Sequence, residues 1–429
     1  MRLKIGILGG AEMARMLAPA GYPLGMSFRI YDPSPDTCAG QVVADHVAAG
    51  FDDKAALRRF AEGLDVVTYE WENVPVEAVR FLSPLVRVEP SLGALEVAQD
   101  RFLEKSLFRK LNIDTAPYAA VDSLDDLRTA AGVVGLPAVL KTRRLWYDGK
   151  GQFKLESMVD IEPAWRALGG EPLILEGFVP FRRELSILAV SGRWKGASSG
   201  AVSWRRISFQ QGGPGPIVTR LTRQSQDRVP PRILDAIERA RQAASLRSQK
   251  EWTSLMRGEV DFYPLVENVH RDGILRTSRA PAPDVTPQMQ AEAESIAARI
   301  MGATYYIGVL AIELFEHEGR LLANEMAPGV HNSGHWTIEG AETSQFENHL
   351  RAVLGLPLGS TAARGVSAML NLIGATPDPA AVLAVPGAHL HLYGKAPAPG
   401  RKLGHLTLRA DEPGDLRRLL ASLERLLQE

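Results

Sequence analysis

The first seventy residues alternate between short apolar runs and helical patterns. The run LKIGIL ends at a glycine turn and leads into the helical pattern of AEMARMLAPAG. Two further apolar runs, Phe28 to Tyr31 and Asp65 to Tyr69, each follow a segment with helical periodicity. Strands that alternate with helices are typical of a parallel α/β sheet. We therefore predict a parallel α/β fold for the N-terminal part of the chain.

The C-terminal third contains a predicted β-hairpin. Alternating patterns over VLAIELF and LLANEM flank a turn at HEG. If Glu313 faces Ala323 across this hairpin, Glu325 lies on the same face as a diagonal neighbour, roughly 7 Å away. Two carboxylates with Asn324 beside them suit a Mg²⁺ ion that holds nucleotide phosphates. A solvated sheet face is the alternative, which the surrounding apolar residues disfavour.

A strand from Leu136 to Thr142 is predicted to precede a phosphate-binding loop. This strand carries Lys141 and leads into RRLWYDGKGQ, which contains two glycines and several basic residues. Glycines let backbone amides approach phosphate oxygens, and lysines supply positive charge. A mobile solvated hairpin is the alternative. A lysine on an apolar strand needs an anionic partner, which favours the phosphate site.

Two more elements carry candidate binding residues. A helix is predicted from Leu95 to Lys110, with Arg101 and Lys105 on one side. The run Pro172 to Phe178 predicts a strand whose end offers backbone donors and acceptors to a purine, with Glu184 reaching a ribose. Further strands are predicted at 368–372, at 389–393 and in GRKLGHLTL, and leucines at helical spacing predict a helix over 416–427.

The turn after the first strand and the end of the third are candidate ligand sites. The Gly9-Gly10 turn could place helix N-terminal amides against a phosphate. It lacks the full spacing of a dinucleotide fingerprint, so a tight strand-to-helix connection explains these glycines equally well. Glu70 and Glu72 follow the third strand, at the edge where open sheets bind ligands.

Composition sets wide limits. At 429 residues the chain is too long for one core, so two or three domains are expected. Hydrophobic residues make up 45% and charged residues 23%, as in ordinary globular proteins. The single cysteine, Cys38, excludes an internal disulfide and predicts a reducing compartment. The chain opens directly into a strand and no apolar run approaches ~18 residues, so we expect a cytoplasmic protein without a membrane span.

Positive charge is concentrated in one segment. Between Trp194 and Arg257, twelve Lys and Arg stand against four Asp and Glu, a net charge of +8 in a chain of net −1. The flanking patterns ELSILAVSG and EVDFYPLVEN both predict strands, and the excess positive charge marks residues 194–257 as compositionally different from their surroundings. Trp194, Trp204 and Trp252 among its arginines leave a nucleic-acid contact open. A basic solvated insert is favoured, because no recognised motif accompanies the charge.

The ordered motifs resemble a known family. The chain resembles the ATP-grasp enzymes, and among these the 5-(carboxyamino)imidazole ribonucleotide synthases of purine biosynthesis. The motifs that carry the resemblance are YDGKGQ, EGFV, ENVH, NEMAP and HNSGHWTIEGAETSQFENHLRAVLGLPLG. The resemblance covers nearly the whole chain except the basic segment. The family joins the two strands that flank this segment by a short turn, so the resemblance implies that residues 194–257 are an insertion at a hairpin tip. It implies an α/β and α+β fold with an N-terminal α/β domain at 1–94, an ATP-grasp domain at 95–362 and a small C-terminal β domain at 363–429.

The resemblance also implies an activity. ATP and bicarbonate would form carboxyphosphate, whose CO₂ is captured by the exocyclic amine of 5-aminoimidazole ribonucleotide, releasing ADP and phosphate. The implied metal is Mg²⁺, with Mn²⁺ as an alternative, and the implied assembly is a homodimer without membrane or nucleic-acid partners.

Individual residues receive roles from the same resemblance. The nucleotide would be held by Arg101, Lys141, Trp146, Tyr147, Asp148, Gly149, Lys150, Gly151, Gln152, Glu176, Gly177, Phe178, Val179, Glu184, His270, Asn324 and Glu325. The metal would be held by Glu313 and Glu325. Catalytic roles fall to Tyr147, Lys150, His331 and Asn332, and contacts to the ribonucleotide fall to Gly10, Glu12, Glu70, Glu72, Lys395 and Arg401.

Three substrate loops depart from the family pattern. The departures are Ala11, Glu12, Ala14, Leu145, Trp146 and Gly329. Glu12 replaces a glutamine and adds a negative charge where an anionic ribonucleotide should approach. Gly329 replaces an arginine, a loss that we estimate at two to three orders of magnitude in rate, about 3 to 4 kcal/mol. A catalytically weak or silent nucleotide-binding homologue that acts as a scaffold is therefore the alternative function.

Overall fold

The N-terminal part folds as a parallel sheet. The structure is a computed structural model that describes residues 3–144, 151–192 and 260–426. The first four strands are β1 (Lys4–Leu8), β2 (Ser27–Asp32), β3 (His46–Ala48) and β4 (Val66–Tyr69). They pair in the order β3-β2-β1-β4, and all three pairings are parallel. The connecting helices are α1 (Glu12–Gly21) and α2 (Lys54–Ala61), and α3 (Val76–Leu82) follows the last strand. The predicted parallel α/β fold is confirmed.

The helix predicted from 95 to 110 is two helices. They are α4 (Leu92–Ala98) and α5 (Arg101–Lys110). Asp100 between them has extended backbone angles, and its carboxylate accepts hydrogen bonds from the amides of Phe102 and Leu103. An aspartate in this position satisfies the free amides of a new helix N-terminus. The prediction of one continuous helix is therefore wrong, and α5 begins at Arg101.

A small antiparallel sheet follows. Its strands are β5 (Tyr118–Val121), β6 (Ala138–Thr142), β7 (Gln152–Leu155) and β8 (Leu173–Gly177), in the order β5-β8-β6-β7. Helices α6 (Leu124–Val134) and α7 (Ile161–Leu168) cover one face and share an apolar core with it. The burial along β6 alternates, which leaves Lys141 on the face opposite this core.

A nine-stranded antiparallel sheet forms the largest part of the fold. Its strands are β9 (Arg183–Ser191), β10 (Val260–Phe262), β11 (Val266–Arg271), β12 (Ile274–Ala280), β13 (Gly308–His317), β14 (Arg320–Pro328), β15 (Val366–Ile373), β16 (Ala388–Leu392) and β17 (Lys402–Ala410). Eight lie in the order β14-β13-β9-β11-β12-β15-β17-β16, and β10 pairs with β9. The helices of this region are α8 (Pro287–Thr304), α9 (Thr337–Gly340), α10 (Gln345–Leu354), α11 (Pro379–Leu383) and α12 (Pro413–Leu426).

The C-terminal strands belong to this sheet. The pairs Thr277–Leu370 and Arg279–Ala368 join β12 to β15, so the C-terminal unit continues the sheet instead of closing one of its own. The predicted strands and the final helix are present, and α11 and α12 pack on them around one apolar cluster. None of the helices in the described residues combines the length and apolar character needed to cross a membrane.

A buried histidine joins the N-terminal sheet to the large sheet. His349 of α10 is fully buried. Its Nδ1 accepts a hydrogen bond from the Val309 amide at 3.1 Å, so the ring proton lies on Nε2, 2.8 Å from Thr68 Oγ1 of β4. Burial lowers the pKa of His349 from 6.5 to about 4. A charged imidazole would also place its Nδ1 proton against the Val309 amide.

This histidine predicts a pH dependence of stability. Between about pH 6.5 and 4 the unfolded chain binds a proton at this histidine that the folded protein excludes. The free energy of unfolding therefore decreases by on the order of 3 kcal/mol as the pH is lowered from 6.5 to 4. We expect His349→Gln to make the free energy of unfolding fall less steeply over this interval, as measured by urea denaturation. The control is His389→Gln at an exposed histidine. Equal slopes in wild type and His349→Gln would contradict the prediction.

The predicted insertion lies outside the described residues, and only the strands that flank it are seen. Ser191 of β9 pairs directly with Val260 of β10, so these flanking strands are adjacent. The chain therefore leaves β9 close to the point where it enters β10. Loop-closure cost grows only with the logarithm of length, by ~0.6 kcal/mol per doubling.

We therefore predict that the segment is dispensable for folding. Replacing residues 194–257 with an Asn-Gly turn should leave a protein with a similar melting temperature that still binds ATP, because the strand pair needs only a short connection. Differential scanning calorimetry and nucleotide titration of both proteins measure this. A deletion variant that does not fold would show that the segment is structural.

Candidate functional site

One cavity of about 1400 Å³ lies between the sheets and collects most of the predicted site residues. Those that line it are Glu12, Glu70, Glu72, Arg101, Lys141, Gly151, Gln152, Glu184, His270, Glu313, Asn324, Glu325, His331, Asn332, Lys395 and Arg401. Residues from all three predicted domains therefore share a single cavity.

The two glutamates of the hairpin lie directly opposite each other. The turn forms where predicted, with the left-handed residues Glu318 and Gly319 between β13 and β14. A bulge after Glu313 shifts the register, so Glu313 pairs with Glu325, and Ala323 faces Leu314. The predicted diagonal arrangement is wrong. Directly opposite side chains have Cβ atoms ~5 Å apart, which brings the carboxylates closer than expected.

Their protonation differs because their neighbours differ. Burial and the charge of Glu325 raise the pKa of Glu313 to about 8. Burial would also raise the pKa of Glu325, but Arg101, 2.8 Å away, lowers it overall. One carboxylate is thus ionised and its partner needs a further cation to ionise with it.

The donor set fits a magnesium ion that is shared with a nucleotide. Glu313 and Glu325 supply carboxylates, and Asn324 lines the same cavity. Among the described residues, no three His, Cys, Asp or Glu side chains converge to hold a metal. The remaining ligands would be phosphate oxygens and water, as Mg²⁺ prefers in nucleotide enzymes.

Glu176 is buried and contacts two lysines. Its Oε2 is 3.0 Å from Lys141 Nζ and 3.6 Å from Lys105 Nζ. Burial would raise the pKa of Glu176, but the charges of Lys105, Lys141 and Arg101 lower it to about 2. The anionic partner predicted for Lys141 is therefore Glu176. This carboxylate does not line the cavity and contacts lysines instead of adenosine.

The end of β8 has fewer free donors than predicted. The Gly177 amide donates to Pro117 O at 2.8 Å, and the Phe178 amide donates to Pro137 O at 3.0 Å. Neither residue lines the cavity, and Val179 is buried behind it. These two amides are thus unavailable to a purine. A role for Val179 stays a prediction.

An apolar surface that sequence analysis missed lies nearby. Phe181 and Phe315 stack at 4.7 Å with their rings 4° from parallel, and both line the cavity. Flat aromatic faces suit a nucleobase. Phe315 could have been found, because it lies two residues after Glu313 and therefore on the same strand face. Beside it, His270 Nδ1 contacts the Glu184 carboxylate.

The loop after β14 holds His331 and Asn332. The Ser333 amide donates to His331 Nδ1, so Nε2 carries the proton and lies 3.6 Å from Glu313. Burial lowers the pKa of His331 to about 4, which keeps it neutral near pH 7. Asn332 is buried, and its Oδ1 has no hydrogen-bond partner among the described residues. A polar ligand in the cavity would satisfy that oxygen.

The first glycine turn is occupied by carboxylates. Glu70 accepts hydrogen bonds from the amides of Ala11 at 2.5 Å and Ala14 at 2.9 Å, and the Gly10 amide donates to Asp32. Gly10 itself does not line the cavity. The structure therefore supports the strand-to-helix connection and does not support a phosphate site at these amides.

The added charge of Glu12 is neutralised. Lys395 Nζ lies 2.5 Å from its carboxylate and Lys402 Nζ lies 4.0 Å from it. Burial would raise the pKa of Glu12, but these lysines lower it overall, so the pair is ionised. Lys402, which the sequence analysis missed although it follows Arg401, joins the lysine and arginine predicted to meet a phosphate.

Of the other departures from the family pattern, the structure describes Gly329 but not the flap. Gly329 lines the cavity at φ +146°, and an added Cβ would meet only Tyr69 O at 3.8 Å. The flap residues Leu145, Trp146, Tyr147, Asp148, Gly149 and Lys150 lie outside the described residues.

Family models cover most of the chain. The Ribonucleotide synthetase preATP-grasp domain matches residues 1–99. The ATP-grasp domain matches residues 106–202 and 253–346, with a break inside the predicted insertion. The Phosphoribosylaminoimidazole carboxylase C-terminal domain matches residues 367–419.

Individual relatives match over the full length. The N5-carboxyaminoimidazole ribonucleotide synthase of Pseudomonas aeruginosa is 46% identical over 99% of this chain and 100% of its own. The crystal structure of the synthetase from Thermus thermophilus is 51% identical, with a TM-score of 0.81 and 99% coverage of both chains. The Aspergillus clavatus synthase, in complex with ADP and 5-aminoimidazole ribonucleotide, is 30% identical with a TM-score of 0.78 over 99% of each chain. The chain belongs to the N5-carboxyaminoimidazole ribonucleotide synthase family of ATP-grasp enzymes.

Proposed function

We infer that this protein is an ATP-dependent ligase that carboxylates 5-aminoimidazole ribonucleotide in purine biosynthesis. The observation that carries the proposal is the opposed pair Glu313 and Glu325, with Arg101 and Lys141 at the same cavity. Two carboxylates suit a metal and two cations suit phosphates. Phosphoryl transfer depends on such positioning and charge neutralisation.

The finer proposals concern the reactants. Mg²⁺, or Mn²⁺ in its place, would be held by Glu313 and Glu325 and would neutralise charge on the phosphates. Bicarbonate is the proposed co-substrate that accepts the phosphoryl group. The ring of Phe315 would contact the adenine, and Glu184 with His270 would lie toward its ribose.

The ribonucleotide end of the cavity follows from charge. Lys402 and Arg401 line the cavity near the Glu12–Lys395 pair. A ribonucleotide phosphate there would compete with Glu12 for Lys395. The neutral His331 and the unsatisfied Asn332 Oδ1 would then face the imidazole between the phosphate site and the metal.

The remaining family properties are also proposals. We propose a homodimer from family membership alone. The single cysteine is consistent with the cytoplasmic location expected from the sequence. The basic segment considered for nucleic-acid contact lies outside the described residues.

The second candidate function is a silent nucleotide-binding scaffold. Gly329, in place of the family arginine, is the observation that favours it. A coupled assay of ADP release, with and without the ribonucleotide and with bicarbonate present, separates the two. The synthase predicts ADP release that depends on the ribonucleotide. Nucleotide binding without such turnover would establish the scaffold.

A further inference from the structure

The strand that carries Glu325 is an edge strand. β14 lies at the end of the nine-stranded sheet and pairs on one side with β13. Its outward amides and carbonyls therefore need partners other than a strand. Helix α5 supplies two of them, because the Met326 amide donates to Glu104 Oε1 at 2.6 Å and Lys105 Nζ donates to Asn324 O at 2.6 Å. The segment before β5 supplies others, since the Ala323 amide donates to Asp114 O and Thr115 Oγ1 donates to Ala323 O.

One face of α5 holds three successive residues of this strand. Arg101, Glu104 and Lys105 lie at i, i+3 and i+4, which places them side by side on the helix. Arg101 binds the Glu325 carboxylate at 2.8 Å, between the two backbone contacts made by Glu104 and Lys105. Glu325, whose carboxylate is proposed to bind the metal, is thus fixed in two ways. Arg101 binds its side chain, and Glu104 and Lys105 bind the backbone of the residues on either side of it.

Lys105 also reaches the small sheet. It is 1% exposed, and its Nζ lies 3.6 Å from Glu176 Oε2 on β8. The same Oε2 is 3.0 Å from Lys141. The buried Lys105 ammonium therefore contacts both β14 of the large sheet, which carries Glu325, and Glu176 of the small sheet, which binds Lys141. A buried charge is costly unless its partners are well placed, so this geometry is tightly determined.

We propose that Glu104 and Lys105 are positioning residues that hold the metal-binding strand in place and fix it relative to Lys141. This inference rests on the proposed metal site at Glu325. Glu104 also lines the cavity, whereas Lys105 does not, and the role proposed for both acts through the strand that carries Glu325. Partners behind metal ligands commonly change metal affinity or activity by roughly 10- to 100-fold when removed.

The test is the magnesium dependence of nucleotide binding and turnover in the full chain. Lys105→Met keeps the length of the side chain but removes its charge, so we expect the Mg²⁺ concentration for half-maximal ATP binding to rise roughly tenfold. The KM for the ribonucleotide should not change. Lys54→Met, at an exposed lysine on α2, is the matched control.

Glu104 provides an independent pair of variants. Glu104→Gln retains an oxygen that can accept the Met326 amide, so its Mg²⁺ dependence should stay within about twofold of wild type. Glu104→Met loses that acceptor and should shift the Mg²⁺ dependence as Lys105→Met does. If Glu104 only stabilised the fold, Glu104→Gln and Glu104→Met would both lower the melting temperature, and their Mg²⁺ dependence would not differ.

The outcomes separate this inference from the proposed function. The proposed metal site is wrong if ATP binding by wild type does not depend on Mg²⁺, or if Glu325→Gln leaves that dependence unchanged. If that dependence is present but Lys105→Met and Glu104→Met both retain it unchanged, the positioning role alone is overturned. Should Lys105→Met not fold, the comparison of Glu104→Gln with Glu104→Met decides.

Discussion

Replacing Glu325 with Gln should weaken Mg²⁺-dependent ATP binding and lower kcat by roughly two orders of magnitude. The metal would lose one of its two carboxylates, and charge stabilisation by a metal is worth several kcal/mol. Isothermal titration with ATP across a Mg²⁺ series, together with steady-state ADP release, measures both effects. An Mg²⁺ dependence equal to that of wild type would contradict the assignment.

The fold should survive this change. Glu325 is 38% exposed at its side chain, and a partly exposed ion pair such as Glu325–Arg101 contributes ~0–1 kcal/mol to stability. Burial and the charge of Glu325 raise the pKa of Glu313 directly opposite, and the change removes the second of these two causes. Glu313→Gln should reproduce the loss of metal dependence. Glu318→Gln, in the exposed turn of the same hairpin, should leave binding and kcat unchanged.

Strand positions could be predicted from sequence, but the register of the key hairpin could not. Alternation assigned Glu313 and Glu325 to one face, and both line the cavity. The one-residue bulge after Glu313 leaves no mark in that alternation, because it depends on backbone geometry between two strands. The expected diagonal neighbours are therefore opposed, and the charge of Glu325 adds to burial in raising the pKa of Glu313.

The helix break before α5 carried a readable signal. Asp100 lies immediately before the charged face of Arg101, and aspartate is a preferred N-cap. Reading it as a helix start would have aligned Arg101, Glu104 and Lys105 as one binding face. The partners of that face, three residues of β14 and Glu176, lie far away along the chain and could not be inferred from local pattern.

The first loop shows how an apparent defect can be compensated. Sequence analysis could see Glu12 as an added charge but could not see that Lys395 would meet it from 383 positions away. Likewise, the sequence of the Gly9-Gly10 turn indicated free amides that could bind a phosphate. The carboxylates of Glu70 and Asp32 already accept hydrogen bonds from the amides of Gly10, Ala11 and Ala14.

Restoring the family arginine at Gly329 should raise the ribonucleotide-dependent kcat. A guanidinium that faces charge developing on carboxyphosphate is worth roughly 10²–10³ in rate. The site has room, since a Cβ at residue 329 meets only Tyr69 O at 3.8 Å. The backbone angle φ of +146° is strained for any other residue, so the free energy of unfolding of this variant should fall by ~1–3 kcal/mol, while kcat of the folded variant should rise by up to roughly 10²–10³.

The same hairpin provides the control. Gly319→Arg adds the same guanidinium at another left-handed glycine, φ +75°, where nothing lies within 4 Å and the turn is exposed outside the cavity. A general effect of positive charge would appear in both variants, whereas a site-specific one would appear only in Gly329→Arg. Gly329→Lys, which supplies charge without the bidentate fork, should recover less activity.

Glu12→Gln makes the comparison decisive, because it frees Lys395 from its 2.5 Å ion pair and so strengthens the predicted phosphate contact. Combined with Gly329→Arg, it restores family chemistry at two described departures. The expected result is a lower KM for the ribonucleotide from Glu12→Gln and a higher kcat from Gly329→Arg. A Cβ at residue 329 meets Tyr69 O at 3.8 Å, and the adjacent Glu70 binds the amides of Ala11 and Ala14 beside Glu12, so the two effects are expected to be coupled and both single variants are measured beside the double variant. If wild type shows no ribonucleotide-dependent ADP release and the double variant gains none, the cavity binds nucleotide without completing the carboxylation, and the scaffold function replaces the synthase.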